Sequence, residues 1–491
     1  MEVKKGGFYG IMFRLYLAIF AGTNMANVDE QFKRQLIEIF GISDVSDSVE
    51  ERVCASYDAT RRSAMPDVVA HARNAEQICR LMRLCNERRM PVYPQGARSG
   101  LVGAAVPLLG GVALDMTRMN WILEIDRRNL TATVEPGVIT SDLQKEAAKY
   151  GLFYPPDPAS HEFCTIGGNL SQNAGGLRCI KYGVTREYVL ELDVVLPTGE
   201  MIHTGSRAMK NVSGYDLTAL FVGSEGTLGI YTRATLRLIP MPESTATALC
   251  YFADAEKAMA AVSEIIAAKI VPRAIEFMDD ECARAIQSTQ GFEIPAGTGA
   301  VLLIELDGKK DVITAEMGKC LEICRAGGAF EVFEACSAED REKAWNFRRA
   351  ASPALYAISP GGKINEDVCV PRSELSTLLR RIKEISKKHS TPIVCFGHAG
   401  DGNVHINALV NYADPETVHR GEAAIREAFE TVISLRGALS GEHGIGLAKQ
   451  PYLSLQVAPK EMELMKKIKR IFDPNNILNP GKIFPPEQKQ T

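Results

Sequence analysis

Glycine clustering is the feature of this 491-residue chain that most constrains its fold. A glycine lacks Cβ, so it lets the backbone turn sharply or approach a ligand closely. Three glycine-rich segments fall between residues 94 and 229, and turns between strands alone do not easily explain them. The glycine clusters lie at residues 96–111, 167–183, 223–229, 397–402 and 437–446. The first three predict backbone that approaches a bound ligand.

The first segment, residues 94–103, follows a predicted strand at 91–93 and has no long side chain after Gln95 except Arg98. Consecutive N–H groups of such a loop can point at one anion, which suits a pyrophosphate. The segment has neither the Lys-Ser/Thr pair of a Walker loop nor GxGxxG spacing. These residues alone leave open both a phosphate-binding loop and a plain tight loop.

The second segment begins rigidly, because three of the four residues from Pro155 to Pro158 are prolines, which fix an extended backbone. Glycine pairs at 167–168 and 175–176 then allow close approach to something flat or charged. The third segment is residues 223–229. The alternative for each segment is a turn between strands.

Length and turn signals divide the chain. A chain this long exceeds one compact core, so two or three domains are expected. The boundary is predicted at Pro240-Met241-Pro242. Beyond it, strands and helices alternate at lengths typical of an α+β or α/β domain with a central sheet. Helices are predicted at residues 27–41, at 66–89 with Pro66 as its start, at 141–151 with Ser141 as N-cap, and at 458–472.

Charge and cysteine usage exclude two classes of site. The net charge is −4, so a nucleic-acid partner has no electrostatic support. None of the 12 cysteines forms a CxxC pair, which argues against a thiolate iron–sulfur or zinc site. Scattered cysteines in a chain of this size are typical of buried thiols in a reducing compartment. The sequence therefore predicts a cytoplasmic protein.

The first 25 residues allow two interpretations. Lys4 and Lys5 precede an apolar run from Phe8 to Gly22 that Arg14 interrupts. This order fits a signal peptide, although the run is too short and too charged to span a bilayer. The favoured interpretation is an upstream start codon, with the protein proper beginning near Met25. Nothing later in the sequence resembles a transmembrane segment.

Two of the eight histidines flank a predicted hairpin turn. Apolar strands at 393–396 and 404–410 enclose Gly-Asp-Gly-Asn, so His398 and His405 are expected close together. With Glu442, the two imidazoles make a three-ligand set for a divalent metal that leaves positions open for substrate. The alternative is a pair of core histidines hydrogen-bonded to backbone.

One arginine is a candidate for binding a carboxylate. Arg348 lies in Trp345-Asn346-Phe347-Arg348-Arg349. A carboxylate substrate favours a bidentate guanidinium. From the residues alone, a solvated surface charge is the better interpretation of any single arginine.

Two regions together identify a family resemblance. Residues 91–239 closely resemble the FAD-binding domain of the vanillyl-alcohol oxidase / p-cresol methylhydroxylase flavoproteins. The resemblance rests on 94–103, Glu135-Pro136-Gly137, 157–176 and 223–229. Residues 241–484 resemble the C-terminal domain of the branch that contains D-lactate dehydrogenase, D-2-hydroxyglutarate dehydrogenase and the glycolate oxidase flavin subunit.

The resemblance implies an α+β fold with an FAD-binding α+β domain and a C-terminal α+β substrate, or cap, domain, and FAD extended between them. It also sets the predicted domain limits. These are an N-terminal extension at 1–26, the FAD-binding domain at 27–240, the substrate domain with the metal site at 241–457, and a C-terminal helix and tail packing back on the FAD domain at 458–491.

The resemblance also implies which residues contact FAD. Some family members attach FAD covalently through a histidine of the first loop. Residues 95–103 contain neither His nor Cys, so we expect FAD to bind non-covalently. The implied FAD contacts are Pro94, Gln95, Gly96, Ala97, Arg98, Ser99, Gly100, Gly103, Asp157, Ser160, Gly167, Asn169, Ala174, Gly175, Gly183, Glu225, Gly226 and Ile230.

In the branch, the positions matching His398, His405 and Glu442 hold zinc or manganese. His443 matches the proposed catalytic base, and Arg348 matches the arginine that binds the substrate carboxylate, with Asn407 as a supporting contact. The implied reaction is metal-assisted oxidation of a D-2-hydroxy acid to its 2-oxo acid, with the C2 hydride passing to flavin N5.

The substrate follows from a departure from the branch. The 2-hydroxyglutarate enzymes carry a lysine six residues before the proline that matches Pro371, and this chain has Asn365 there. Loss of that cation favours D-lactate or glycolate over a dicarboxylate, although Lys363 is close enough to leave the choice open.

Partners and alternatives remain open. The expected electron acceptor is a quinone, an electron-transfer protein, an iron–sulfur partner subunit, or oxygen. A homodimer and a peripheral position at the inner membrane face are also open. The competing functions are a flavin-dependent alkyl transferase, whose branch carries a histidine cluster where this chain has Glu442-His443, and a non-catalytic flavin subunit of a larger complex.

Overall fold

The computed structural model describes residues 28–486, so the predicted N-terminal extension, residues 1–26, lies outside the described residues. Within them the chain forms two compact units. The N-terminal unit comprises residues 28–175, 184–241 and 442–486, and the central unit comprises residues 176–183 and 242–441. These units are groups of residues in mutual contact and do not test where the domains begin and end, so the predicted domain limits remain a prediction. Both units combine helices and sheets, which confirms the α+β class.

The first sheet of the N-terminal unit has four strands in the order β1-β2-β4-β3, and all but the β1–β2 pair are parallel. Its strands are β1 (Val45–Ser46), β2 (Val68–His71), β3 (Val92–Gln95) and β4 (Val112–Asp115). Helices Glu30–Phe40 and Ala75–Arg88 share one apolar core with this sheet, and a short helix spans Val49–Cys54.

The prediction of one helix over 66–89 is wrong. The β-branched pair Val68-Val69 is buried in β2, where it pairs with β4. The helix begins only after Asn74, whose side chain accepts the N–H of Gln77 and caps the first turn. Pro66 therefore precedes a strand and does not start a helix.

A second, five-stranded antiparallel sheet has the order β5-β6-β10-β8-β9, and β7 pairs with β11 separately. The strands are β5 (Ile122–Asp126), β6 (Thr131–Val134), β7 (Leu152–Phe153), β8 (Val189–Val195), β9 (Met201–Gly205), β10 (Ile230–Arg237) and β11 (Ile239–Pro240). Helices in this part span Thr140–Ala148, Ile166–Gln172 and Leu217–Phe221. Ser141 is not an N-cap, because the helix already begins at Thr140.

The C-terminal residues belong to the N-terminal unit. Helix Pro459–Phe472 follows a short helix at Leu453–Gln456. Phe472 packs edge-on against Phe221 with 5.3 Å between ring centroids, and Lys469 Nζ donates to the carbonyl of Thr227 at 2.8 Å. This end of the chain is thereby fixed beside the third glycine-rich segment.

The central unit is built on a seven-stranded antiparallel sheet of order β15-β12-β14-β13-β17-β18-β16. The strands are β12 (Ser244–Phe252), β13 (Ala274–Asp279), β14 (Ala300–Gly308), β15 (Ala329–Ala335), β16 (Lys363–Cys369), β17 (Ile393–His398) and β18 (Asn403–Leu409). The helices are Cys179–Tyr182, Ala255–Ala267, Asp280–Gln290, Lys310–Ala326, Ala338–Arg349, Ala351–Ile358, Leu375–Lys388 and Pro415–Ser434.

One face of this sheet carries both a core and a polar region. Three of the helices, Asp280–Gln290, Ala338–Arg349 and Ala351–Ile358, pack on apolar residues such as Leu303 and Val394. Register alternation places polar side chains on the same face nearer one end of the strands. The predicted central sheet is confirmed, but β12 and helix Pro415–Ser434 were not predicted. No helix among residues 28–486 combines the length and apolar character needed to cross a membrane.

Candidate functional site

The N-terminal unit contains a cavity lined by all three glycine-rich segments of its sequence. Glu442 and His443 also face this cavity. Among the predicted FAD contacts, the lining residues are Pro94, Gln95, Gly96, Ala97, Arg98, Ser99, Gly100, Ser160, Gly167, Asn169, Ala174, Gly175, Glu225, Gly226 and Ile230. The structure thus brings together residues that are widely spaced in the sequence.

Three predicted FAD contacts do not line this cavity. Gly103 ends the first loop in a left-handed conformation, with φ of +77°. Asp157, within the proline-rich stretch, is buried. Gly183 follows the short helix Cys179–Tyr182 in the central unit. The structure assigns these three no place in the cavity wall.

Side-chain contacts fix the first loop. The Gln95 amide donates to the carbonyls of Ala55 and Ala105, each at 2.8 Å. A Cβ on Gly96 would collide with Thr165 Oγ1, which accepts the N–H of Gly168 and caps the next helix. The first loop therefore passes against the second glycine-rich segment at a distance that only glycine allows.

Asn479 is a cavity residue that sequence reasoning missed. Its amide donates to the carbonyl of Ala104 at 3.1 Å and to that of Glu225 at 2.8 Å. It thereby joins the first and third segments from a position near the C-terminal end of the chain. The Asn479-Pro480-Gly481 run is a turn signal, which marks a fixed bend but not its partner.

Glu225 is hydrogen-bonded to the backbone just after His443. The carboxylate is buried and accepts the N–H groups of Ile445 at 2.7 Å and Gly446 at 2.8 Å. Burial raises the pKa of Glu225, and these two hydrogen bonds oppose that rise. The backbone that follows His443 is thus anchored at the cavity by a residue of the third segment.

In the central unit, the predicted hairpin of β17 and β18 is confirmed. His398 pairs with Asn403, and His405 pairs with Phe396. Both imidazoles are buried, their centroids lie 5.3 Å apart, and a ring nitrogen of one lies within 4.8 Å of a ring nitrogen of the other. Asn407 lies on the same face of β18, as alternation predicts.

A buried glutamate joins His398 to Arg348. Glu276 lies opposite His398 in the β13–β17 register and is fully buried. Its oxygens lie 2.8 and 2.9 Å from His398 Nδ1. Arg348 Nε donates to Oε2 at 2.8 Å, and Arg348 Nη2 forms an ion pair with the same oxygen at 2.8 Å. Sequence reasoning missed Glu276. Its signal was a charged residue inside the otherwise apolar run Ala274–Met278.

Asn407 and Lys363 complete this polar face. The Asn407 amide N–H₂ donates to the carbonyls of Val394 and His405, each at 3.3 Å. Its buried Oδ1 has no hydrogen-bond partner among the described residues. Lys363 Nζ donates to Ser352 Oγ at 3.0 Å, and burial lowers the pKa of Lys363 to about 8.

The end of the central unit is fixed beside His405. Asp367 pairs with His405 across β16 and β18, and it accepts the N–H of Gly441 at 2.7 Å. A Cβ on Gly441 would collide with the Asn403 amide, so this approach requires glycine. Glu442 is the next residue in the chain.

Two family models match this sequence. The FAD binding domain model matches residues 66–205, and the model for the C-terminal domain of FAD linked oxidases matches residues 241–483. Glycolate oxidase subunit GlcD of Bacillus subtilis is 44% identical over 458 residues, which cover 93% of this chain and 97% of the relative. A D-lactate dehydrogenase of Anaerostipes hadrus is 38% identical, with 89% and 94% covered.

Solved structures share the fold. p-Cresol methylhydroxylase with bound substrate has a TM-score of 0.76 at 19% identity, covering 92% of this chain and 95% of that one. An alkyldihydroxyacetonephosphate synthase has a TM-score of 0.74 at 21% identity, with 94% and 87% covered. Because two enzymes with different chemistry match equally well, these likenesses concern the fold alone.

Proposed function

The chain belongs to the family of FAD-linked oxidases, and from that premise we propose that it oxidises a small D-2-hydroxy acid, D-lactate or glycolate, to the 2-oxo acid. It is an FAD-linked oxidoreductase of the glycolate oxidase and D-lactate dehydrogenase type. The observation that carries the substrate proposal is the buried arrangement on the central sheet, where Glu276 joins a candidate metal ligand to a candidate carboxylate-binding arginine.

FAD is the cofactor, and when bound it supplies the acceptor for the substrate hydride. We propose that the cavity of the N-terminal unit holds it. The wall of glycine and other small residues suits close approach of backbone N–H groups to a pyrophosphate. Residues 95–103 offer no His or Cys to attach the flavin, so acid precipitation should release all of its colour; colour left in the pellet would contradict a non-covalent link.

We propose that His398, His405 and Glu442 hold a divalent metal, zinc or manganese. Two imidazoles with nitrogens within 4.8 Å and one carboxylate are a usual donor set for either ion. Glu442 follows directly on Gly441, which is hydrogen-bonded to Asp367 beside His405. When bound, the metal would act as a Lewis acid on the substrate hydroxyl and carboxylate.

The protein's own side chains have three proposed tasks. Arg348 holds the substrate carboxylate with the guanidinium edge that Glu276 leaves unused. Asn407 Oδ1, a buried acceptor, receives a hydrogen bond from a substrate hydroxyl. His443 Nε2 or Nδ1 accepts the hydroxyl proton as general base, on a backbone that Glu225 anchors at the cavity.

Position 365 supports a monocarboxylate substrate. Asn365 takes the place of the cation that dicarboxylate enzymes of the branch carry, and it pairs with Asn407 across the two strands. Lys363 lies two residues earlier and is already hydrogen-bonded to Ser352. We propose a quinone, an electron-transfer protein or an iron–sulfur partner subunit as the acceptor that reoxidises the flavin.

A substrate panel with an artificial dye acceptor tests this function. D-lactate or glycolate should reduce the dye, whereas L-lactate and D-2-hydroxyglutarate should be much poorer substrates. Preference for D-2-hydroxyglutarate would overturn the assignment to a monocarboxylate. Failure of every hydroxy acid to reduce the dye would favour an alkyl-transfer enzyme or a non-catalytic subunit.

A further inference from the structure

We infer that Glu276 is a positioning residue that sets the tautomer of His398 and the orientation of Arg348 together, so that metal and substrate carboxylate are bound by one hydrogen-bonded unit. This inference rests on the proposed metal and carboxylate sites. Glu276 itself would touch neither ligand, and it acts through the two side chains that do.

The contact with His398 fixes which ring nitrogen can bind a metal. An ionised carboxylate can only accept hydrogen bonds, so His398 must donate from Nδ1. The proton on Nδ1 leaves the lone pair on Nε2. Such carboxylate–histidine contacts orient metal ligands and raise their basicity. Glu276 therefore prepares Nε2 of His398 as the ligand atom.

The contact with Arg348 divides the guanidinium into two edges. Nε donates to Glu276 Oε2, and Nη2 lies 2.8 Å from the same oxygen, so the side edge of the guanidinium faces Glu276. The Nη1 end of the group keeps its donors for a planar carboxylate. The guanidinium also lies 5.0 Å from the centroid of the Phe396 ring, which restrains the group further. The remaining edge of Arg348 is thereby held in one direction.

An ion pair between Glu276 and Arg348 with a purely structural role would not explain the contact of Glu276 with His398. Burial of the Glu276 charge requires a partner, and Arg348 alone would supply one. His398 Nδ1 in addition approaches both carboxylate oxygens, a contact that such an ion pair does not require. Glu305, buried on the neighbouring strand β14, differs from Glu276 in its hydrogen-bond partners. Its Oε2 accepts from Thr247 Oγ1 at 2.8 Å and from Trp345 Nε1 at 2.6 Å.

The substitution Glu276→Gln tests the tautomer directly. Arg348 can only donate, so the glutamine carbonyl must face it and the glutamine N–H₂ must face His398. The N–H₂ group would then occupy the nearer position, 2.8 Å from His398 Nδ1, and would favour the tautomer with the ring proton on Nε2, where it blocks the ligand position. We expect zinc affinity, measured by competition with a chromophoric chelator on the FAD-loaded protein, to fall about 10–100-fold. Flavin content should stay unchanged.

The matched control is Glu305→Gln, which should leave zinc affinity within about twofold of wild type, well below the 10–100-fold effect of removing an orienting partner. At saturating zinc, Glu276→Gln should also raise KM for the hydroxy acid, since Arg348 loses its charged anchor. Wild-type zinc affinity in a Glu276→Gln protein that retains its flavin would overturn the inference. Failure of wild type to bind stoichiometric zinc would instead overturn the proposed metal site and, with it, this inference.

A measurement on the wild-type protein covers the case in which Glu276→Gln does not fold. Nitrogen-15 chemical shifts of histidine-labelled, metal-free protein report the protonated ring nitrogen, and the His398 signal is assigned by its loss in His398→Gln. We expect Nδ1 protonated and Nε2 bare. The opposite tautomer in wild type would contradict the inference without any reference to activity.

Discussion

The cavity of the N-terminal unit and the polar face of the central sheet are built in different ways. The cavity wall consists largely of backbone and small residues on loops, as in the segment Pro94–Gly100. The sheet face presents long polar side chains from several strands and a helix, among them Glu276, His405 and Arg348. We therefore propose that one region offers backbone groups to the cofactor and that the other offers side-chain chemistry to the substrate.

This difference predicts that binding and turnover can be separated by mutation. A substitution on the loops changes the space available to FAD, so it should lower flavin occupancy. A substitution on the sheet face changes donors and ligands, so it should lower turnover in a protein that keeps its flavin. Each variant below tests this separation of FAD binding from turnover. A sheet-face variant that loses flavin as well as turnover would contradict it.

His405→Ala should have the largest effect. Removal of one of three protein ligands to a Lewis acid that supplies several kcal/mol should lower kcat/KM at least about 100-fold. Flavin absorbance per protein should match wild type. The control His419→Ala, at an exposed position in the same unit, should retain full activity. Wild-type turnover of His405→Ala in metal-free buffer would show that the site is not catalytic.

Arg348→Lys should follow, with a loss of about 2–4 kcal/mol in transition-state stabilisation, because an ammonium cannot replace a planar guanidinium. The measurement is kcat/KM for the best hydroxy acid found, with flavin content as the check on folding. Arg349→Lys is the control, since the Arg349 side chain is about half exposed and pairs with Glu342. Equal kinetics for the two variants would place the substrate carboxylate elsewhere, with Lys363 the next candidate.

Gly96→Ala tests the other region. The added methyl group would displace Thr165, and such overpacking costs about 1–3 kcal/mol, which would lower FAD affinity roughly 5- to 150-fold. Zinc affinity should be unchanged. Gly318→Ala is the control, because a Cβ there meets no atom within 4 Å and Gly318 is not among the residues that line the cavity, so this variant should bind FAD normally. A Gly96→Ala protein that loses zinc along with flavin would contradict the separation.

Lys363→Met should have the smallest effect, on stability. Burial depresses the pKa of Lys363 from 10.5 to about 8, so between those values the unfolded chain binds more protons and wild-type stability rises with pH. We expect the variant to raise Tm by about 2–4 °C near pH 7, and the gain should shrink as the pH approaches 10. The exposed Lys388→Met should show no comparable pH-dependent gain. A gain that is constant with pH would contradict a buried charged lysine.

The two regions also differ in how far the sequence predicts them. The loops and the β17–β18 hairpin are local, so glycine spacing and a turn motif predicted that they bend and that His398 and His405 meet. Glu276 contacts His398 across 122 residues of sequence, and only the β13–β17 register places it there. Asn479 reaches the cavity from 375 residues beyond Ala104. Neither separation leaves a signal in local periodicity.

Local errors had local causes. The prediction of a helix over 66–89 followed apolar spacing and a proline. It missed that two β-branched valines favour a strand and that Asn74, five residues after Val69, gives a stronger start signal for the helix. Ser141 was expected to be an N-cap, but the helix begins one residue earlier, after Ile139. The sequence determines the first residue of a helix only to within a residue or two. It determined the positions of the two histidines on the hairpin much more strongly.

Reduction of the bound flavin by substrate under anaerobic conditions tests the central claim most directly. The FAD-loaded protein is mixed with D-lactate or glycolate in three forms, namely metal-loaded, chelated, and chelated then reloaded with zinc or manganese. The account predicts rapid loss of flavin absorbance in the first and third forms and a slow reaction in the second, at equal flavin content. Equal rates in all three forms, or no reduction by any D-2-hydroxy acid, would contradict it.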